Sequence, residues 1–332
     1  MSTRDDLLKV LESNRDSFVS GSDIADELGV SGTAVWKAVN ALRKEGYVIE
    51  SVTNRGYRLS PDSDVLSYQV LSEKLADKTR DGRIRLEVFD SIDSTNNVCR
   101  DKAALGEKDG FVAVAANQTQ GRGRRGRSFY SPDNTGLYMS ILLRPSGFDA
   151  RQALRFTTMA AVAVSEAIEE ISGKPAGIKW VNDIYMNGLK VCGILTEASF
   201  DLESGNLDYA VVGIGINVFE PEGGFPEDIR NIAGAVFTRD DSQGANARAS
   251  LAAEIIRRFF GYYEGSSSGS ADYINKYRAR CIVIGRDITV LSAGASPASA
   301  HALDIDDECG LIVRYEDGRT ETLRSGEISI RF

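Results

Sequence analysis

The chain has 332 residues, 42% hydrophobic and 26% charged, with a formal net charge of −9 at pH 7. That length asks for two or three cores rather than one, and the acidic balance excludes a protein that coats nucleic acid over its whole surface, though not one small DNA-reading module. With His301 as the sole histidine, a His-based zinc site and a Ser-His triad are excluded, so catalysis has to run on Lys, Arg, Asp and ligand groups.

In chain order, the opening MSTRDDLLKVLESNRDSF has acids where a secretion signal needs an apolar run. Leu7, Leu8 and Leu11 stand at helical spacing. SGSDIADELG then offers serines for an N-cap and Gly29 as a stop. Ser31 can cap SGTAVWKAVNALRKEG, whose Val35, Val39 and Leu42 face one way and which Gly46 ends. Two short helices joined by LGVS have helix-turn-helix spacing, and YVIESVTNRGYRLS reads as a hairpin turning at TNRG. Residues 1–62 are therefore expected to form a winged helix-turn-helix. Thr33, Trp36, Lys37 and Asn40 would face base edges or phosphates, with Arg55 reaching the DNA backbone from the wing. The alternative is a small helical interaction domain: residues 1–60 hold eight Lys/Arg against nine Asp/Glu, so bulk charge decides nothing. Lys37, Arg43, Lys44, Arg55 and Arg58 nevertheless gather on the second helix and wing.

Residues 63–83 read as a polar linker with one short helix, and deleting residues 1–66 is expected to remove DNA binding alone. From Ile84 strands and helices alternate to about residue 279. The strands are IRLEVFD, FVAVAAN, LYMSILLR, VCGILTEASF and DYAVVGIGINV; the helices start at STNNVCRDK, ARQALRFTTMAA, ARASLAAEII and DYINKYRARC. EGSSSGSA (264–271) is a small break. Residues 280–332 hold about five short strands and are expected to close a small β-barrel. DIDDE within them reads as a solvated turn rather than a metal loop. Cys99, Cys192, Cys281 and Cys309 are scattered, as reduced thiols of a cytoplasmic protein would be. No window approaches the roughly 20 apolar residues of a membrane span.

Between two strands lies NQTQGRGRRGRSFYS (117–131), with four arginines, three glycines and no acid. Either an anion docks there or it is a solvated linker. Guanidinium groups bind phosphate in pairs and glycine lets backbone N–H groups approach; an open loop of like charges should be mobile until an anion fills it. SIDSTNN (91–97) adds hydroxyls and amides at a helix N-terminus. KWVNDIYMNGLKVCGILTE (179–197) packs two lysines and an Asn-Asp pair into one hairpin. Alone, each of these has an ordinary structural reading; together, in this order, they specify one site.

That set resembles the biotin protein ligases, in the bifunctional form that is also a biotin operon repressor. It covers essentially the whole chain through SGSDIADELGVSGTAVWKAVNALRKEG with NRGYRL, STN, QTQGRGRRGRSFYSP, KWVNDIY with LKVCGILTE, and GIGINV. Two positions depart from the usual pattern: Phe129 where the aromatic is often Trp, and Val181 where Pro is usual. The resemblance implies a multidomain α/β architecture: a winged helix-turn-helix, a mixed α/β ligase domain of class II synthetase type over 84–279, and a Src-homology-3-like barrel over 280–332. It implies adenylation of biotin by ATP with Mg²⁺, then transfer to a lysine of a biotin carboxyl carrier domain. Lys190, Asp183, Arg122 and Arg124 would be catalytic. Ser94, Thr95, Asn96, Gln118, Arg122, Gly123, Arg124, Trp180, Lys190 and Gly193 would bind biotin. Arg122, Arg124, Phe129, Lys190 and Asn217 would bind the nucleotide. The adenylate would order the basic loop and residues 219–235, promote a homodimer and so favour operator DNA.

Three rivals remain at this level: a lipoate or octanoyl ligase with the same middle fold, a non-catalytic ligand-sensing repressor, and an RNA-binding protein using the Arg/Gly segment. The complete arginine motif with a winged domain favours biotin over lipoate. Asp183 with Lys190 favours an enzyme over a sensor, and a single acid-surrounded cluster disfavours RNA.

Overall fold

Three helices pack Leu7, Leu11, Ile24, Val39 and Leu42 into the first core: α1 (Thr3–Ser13), α2 (Gly21–Leu28) and α3 (Gly32–Lys44). The computed structural model describes residues 2–44, 47–60, 63–79, 82–145, 153–200, 206–238, 241, 246–267, 272–291, 296–324 and 327–329. The expected caps are present. Ser20 Oγ accepts from Asp23 N at 3.1 Å, Gly29 takes the left-handed conformation at φ 64°, and Ser31 Oγ accepts from Ala34 N at 3.2 Å; Gly46 lies outside the described residues. Strands β1 (Ile49–Val52) and β2 (Gly56–Leu59) pair antiparallel as the wing. Val19 and Tyr57 exchange both backbone hydrogen bonds, at 2.9 and 2.8 Å, which hangs the wing on the entry to α2.

The segment from residue 63, expected as a polar linker, is packed instead. It forms α4 (Tyr68–Lys74) and α5 (Ala76–Thr79), and Val65, Leu66, Val70, Leu71 and Leu75 are buried. Asp64 pairs with Arg248, whose guanidinium is itself buried, and Asn246 Oδ1 accepts from Val65 N at 3.0 Å and Arg15 at 2.8 Å. A cut after residue 66 would therefore strip the partner of a buried charge, a costly change. The sequence concealed this because the buried residues are interleaved with polar ones over fewer than two helical turns.

Seven strands make the central sheet in the order β3-β4-β5-β9-β8-β7-β6. They are β3 (Arg85–Phe89), β4 (Phe111–Ala115), β5 (Gly136–Leu143), β6 (Gly177–Lys179), β7 (Asp183–Met186), β8 (Leu189–Phe200) and β9 (Leu207–Asn217). Of these, only β3 and β4 pair in parallel. Helix α6 (Thr95–Ala104) covers one face, packing Cys99 and Ala103 against Phe111 of β4 and Val211 of β9; α7 (Ala153–Ser172) and α8 (Ala247–Ser267) cover the other. Helices on both faces explain why every residue of β5 is buried.

Helix α9 (Tyr273–Arg280) leads to an antiparallel sheet in the order β13-β12-β11-β10-β14: β10 (Asp287–Leu291), β11 (Ala298–Ile305), β12 (Leu311–Tyr315), β13 (Thr320–Leu323) and β14 (Glu327–Ser329). The five expected strands are there, with β13 and β14 at the two ends of the described pairing. DIDDE ends β11 with Asp304 and Ile305 and then turns: Asp306 Oδ1 accepts from Glu308 N at 2.9 Å and Gly310 N at 2.7 Å. All four cysteines are free and buried; burial pushes Cys99 to about 12 and Cys281 to about 11, far from reactive thiolates. Among the described residues no helix is long and apolar enough to cross a membrane.

Candidate functional site

A cavity of about 330 Å³ opens over β8 and β9 in the interior of the sheet, within the size range of small-molecule sites. Its wall includes every site residue named from the middle of the sequence: Ser94, Thr95, Asn96, Gln118, Arg122, Gly123, Arg124, Phe129, Trp180, Asp183, Lys190, Gly193 and Asn217. Five cations line it, Arg122, Arg124, Arg127, Lys179 and Lys190, against one carboxylate, Asp183. In a chain of net charge −9 this concentrates positive potential at one concave point.

The arginine loop is not an open arc. Gly123 N donates to Arg127 O at 2.7 Å, Phe129 N donates to Gly121 O at 2.9 Å, and Arg122 bridges Ser128 across a single turn, Arg124–Gly126. Arg125 takes the left-handed conformation there, at φ 56°. Phe129 folds inward onto β9. A Cβ on Gly215 would lie 2.8 Å from the Phe129 ring, so glycine is what lets the aromatic lie flat on the sheet.

Opposite the loop, two of the backbone donors at the start of α6 are already engaged. Asp93 Oδ1 accepts from Ser94 N at 2.6 Å, and Gln118 Oε1 accepts from Thr95 N at 2.9 Å and Thr95 Oγ1 at 3.1 Å. With Ser94 N and Thr95 N engaged and a carboxylate already at the helix end, this wall offers hydroxyls and a side-chain amide and is a poorer phosphate cradle than its sequence suggested. Asn96 turns into the wall: its Nδ2 donates to Glu197 at 2.7 Å, and Ser140 Oγ lies 2.6 Å from its Oδ1. Ser140 and Glu197 were not foreseen; each sits mid-strand, where nothing in the local pattern marks function.

The turn between β6 and β7 is the site's mechanical centre. Trp180, expected as a wall of the apolar pocket, is 4% exposed and spends its indole N–H on Cys309 O at 3.1 Å; Tyr277 Oη donates to Val181 O at 3.2 Å. The Trp180–Val181 peptide is cis. Asn182, missed from sequence, receives Arg124 Nη1 on its Oδ1 at 3.0 Å and gives its Nδ2 to Ile194 O at 2.9 Å. Asp183 Oδ1 is buried and meets the Lys190 ammonium at 2.7 Å. Two residues read separately as acid-base and electrostatic groups thus form one ion pair, which their spacing in sequence did not reveal.

Part of the segment 219–235 closes the cavity beside Asn217, through Ile229, Ile232 and Ala233. Lys190 N donates to Ile232 O at 2.8 Å, Gly234 N donates to Lys190 O at 2.9 Å, and Asn217 Nδ2 donates to Gly234 O at 3.0 Å. Asn217 therefore ties this segment down as well as lining the cavity. Tyr130 and Phe225 meet edge to face at 6.4 Å, joining the segment to the arginine loop.

On the helix-turn-helix, Thr33, Trp36 and Lys37 are exposed, Trp36 at 57%, and Asn40 is half-buried. Arg55 projects at the wing's turn with its guanidinium 4.6 Å from the centre of the Phe18 ring. Two of the cations gathered by sequence are engaged internally. Arg43 donates to Ile49 O at 2.7 Å, and Arg58 pairs with Glu50 at 2.7 Å.

Three family models match in succession: an HTH domain over 3–58, the biotin/lipoate A/B protein ligase family over 88–217, and the biotin protein ligase C-terminal domain over 283–331. The bifunctional ligase/repressor BirA of Bacillus subtilis is 34% identical over 95% of this chain and 95% of its own. The Escherichia coli protein of the same name is 28% identical, covering 95% and 93%. Among solved structures, the biotin protein ligase of Aquifex aeolicus in complex with biotin and ATP superposes with a TM-score of 0.61 at 28% identity, over 74% of this chain and 98% of that one.

Proposed function

This chain belongs to the biotin protein ligase family in its bifunctional ligase/repressor form, and from that premise we propose that it activates biotin with ATP, passes the biotinyl group to a lysine of a biotin carboxyl carrier domain, and reads operator DNA. The observation that carries the enzymatic reading is the lining of the cavity: five cations and one carboxylate beside a wall of hydroxyls and an amide. Two anions can meet only where cations neutralise both.

In the first step a biotin carboxylate oxygen attacks the α-phosphorus of ATP; the bond to the β-phosphate oxygen breaks, giving biotinyl-5′-AMP and pyrophosphate. Arg122 and Arg124 hold the carboxylate and phosphates, and Lys190 bridges them, while Gly123, whose N–H is given to Arg127 O, lines the cavity without an amide to offer. Asn182 aims Arg124 by its 3.0 Å hydrogen bond. Phe129 and Asn217 border the nucleotide, while Ser94, Thr95 and Gln118 meet the ureido head, whose buried groups would each cost roughly 1–3 kcal/mol if left unpaired. Mg²⁺ would enter with the triphosphate and share its charge, since it keeps several waters and needs few protein ligands.

In the second step the carrier lysine nitrogen attacks the acyl carbon, AMP departs, and the ammonium's proton is lost. A free lysine has a pKa near 10.4, so the amine must be oriented and deprotonated. We assign that task to Asp183, the one carboxylate in the cavity wall, provided Lys190 leaves it. An adenylate phosphate drawing Lys190 away would arm Asp183 at the moment acyl transfer becomes possible.

The repressor half uses α3 in the major groove, with Thr33, Trp36, Lys37 and Asn40 toward the bases and Arg55 toward a phosphate. Ordering of the arginine loop and residues 219–235 by biotinyl-AMP would lower the entropic cost of a homodimer interface. Sedimentation with and without biotinyl-AMP checks this: tighter self-association is expected with it, and no difference would exclude the link. For the enzyme, the chain is incubated with labelled biotin, ATP, Mg²⁺ and a carrier domain. Covalent label on the carrier is expected; label that requires lipoate instead would overturn the biotin reading.

A further inference from the structure

On α3 the core takes Val35, Ala38, Val39 and Leu42, and the opposite face is left to Thr33, Trp36, Lys37 and Asn40. At about 100° per residue, Thr33 and Asn40 stand almost on one line, two turns apart, with Trp36 on one flank and Lys37 on the other. The row is about 10 Å long, enough to pass about three base pairs of a duplex.

Trp36 is the member of this row that chain packing does not account for. Of the two tryptophans, Trp180 is 4% exposed and Trp36 is 57% exposed. Among the described residues Trp36 has neither a hydrogen bond nor a ring partner. An indole is a large apolar surface with a single N–H, and left against water on an otherwise polar face it gains most from an apolar partner. In the major groove the thymine C5-methyl is the only apolar group that a base pair presents. Beside it stands the O4 acceptor, which suits the indole N–H. Guanine offers two acceptors, adenine an acceptor and a donor, and cytosine a donor alone. Nor does an arginine on this row compete for guanine. Arg43, the one arginine of α3, donates to Ile49 O at 2.7 Å and to Ser51 Oγ at 3.2 Å.

We propose that Trp36 is a specificity-determining residue of the DNA-reading domain, whose indole lies on the C5-methyl of one thymine in each operator half-site. This rests on the repressor reading of that domain. A tryptophan exposed only to meet another protein surface would be indifferent to that methyl.

The test starts from duplexes that the full chain, with biotin, ATP and Mg²⁺, selects from a random pool. Each thymine of the selected half-sites is replaced in turn by deoxyuridine, which removes the methyl and keeps O4 and the Watson–Crick pairing. Mobility shifts should find one position where the change costs about fourfold per half-site, or roughly fifteenfold over a two-fold site. At that position 5-methylcytosine should bind better than cytosine by a similar factor, because only the methyl distinguishes the two. Trp36→Ala should bind the thymine and deoxyuridine duplexes alike, and Trp36→Phe, which keeps an aromatic face, should keep most of the preference. Lower salt holds the weakened variants within the measurable range. The proposal is overturned if no thymine is methyl-sensitive in the parent, or if the deoxyuridine penalty is as large in Trp36→Ala as in the parent. A parent that selects a sequence but ignores the methyl sinks this inference alone; a parent that selects no sequence sinks the repressor reading with it.

Discussion

In the wing, the Arg55 and Arg58 guanidinium groups lie 4.6 and 4.7 Å from the centre of one aromatic ring, Phe18, and Arg58 also pairs with Glu50. In the arginine loop, Arg124 is aimed by the neutral amide of Asn182, and across the cavity Lys190 waits on Asp183. Both regions would bind phosphate, but they hold their cations differently. A surface for a long duplex needs cations at fixed spacing, kept in place by permanent partners while solvent stays nearby. A site for one small polyanion needs cations whose partners can be exchanged for the ligand, and walls that exclude water so that each charge counts for more.

Neutralising the loop should break that comparison most visibly. Arg122→Ala with Arg124→Ala is expected to slow pyrophosphate release about a thousandfold, since two charge-stabilising groups go together, while DNA binding measured without biotinyl-AMP stays as in the parent. Next in size is Asp183→Asn. Acyl transfer from preformed biotinyl-AMP should fall on the order of a hundredfold, the usual worth of a positioned base. Adenylation, followed by pyrophosphate release, should change far less; equal losses in both steps would mean the pair with Lys190 serves only to hold the turn.

Lys37→Ala with Arg55→Ala should weaken operator binding between about tenfold and a hundredfold and lower the salt slope by about 2, leaving ligation intact. A mobility-shift series over salt concentration reads both numbers. Smallest is the joint between the two regions. Glu12 on α1, 5% exposed, accepts from Ser67 at 3.2 Å and lies 4.0 Å from Arg15; burial pushes its carboxyl up from 4.5 to about 7, against the pull of Arg15. An acid whose folded pKa lies above its unfolded one favours folding while protonated. Its contribution is complete below pH 4.5 and lost as pH rises through 7. Glu12→Gln should therefore stabilise the chain above pH 7 by on the order of 2 kcal/mol and do nothing of the kind at pH 4, as read by urea melts.

Much of the winged domain was legible because its signals are local. Ser20, Gly29 and Ser31 act within four residues of themselves, and Val35, Val39 and Leu42 need only one helical period to declare a buried face. The linker was misread for the opposite reason: Val65 and Leu71 look like apolar residues scattered in a polar stretch until α8 arrives from some 180 positions away to cover them. Within the site, residue types that hold charge stood out because a dense run of arginines is rare in an acidic chain.

The sequence by itself determined which chemistry the middle domain could support, since cations, a lone carboxylate and glycines at close-approach positions are fixed by residue type. Only the tertiary structure decided the partners. That Trp180 answers to Cys309, Arg124 to Asn182, Asp183 to Lys190 and Asn96 to Glu197 depends on strands and domains brought together across 7 to 129 positions. A hydrogen bond or ion pair is set by distance and direction in space, and chain order carries neither.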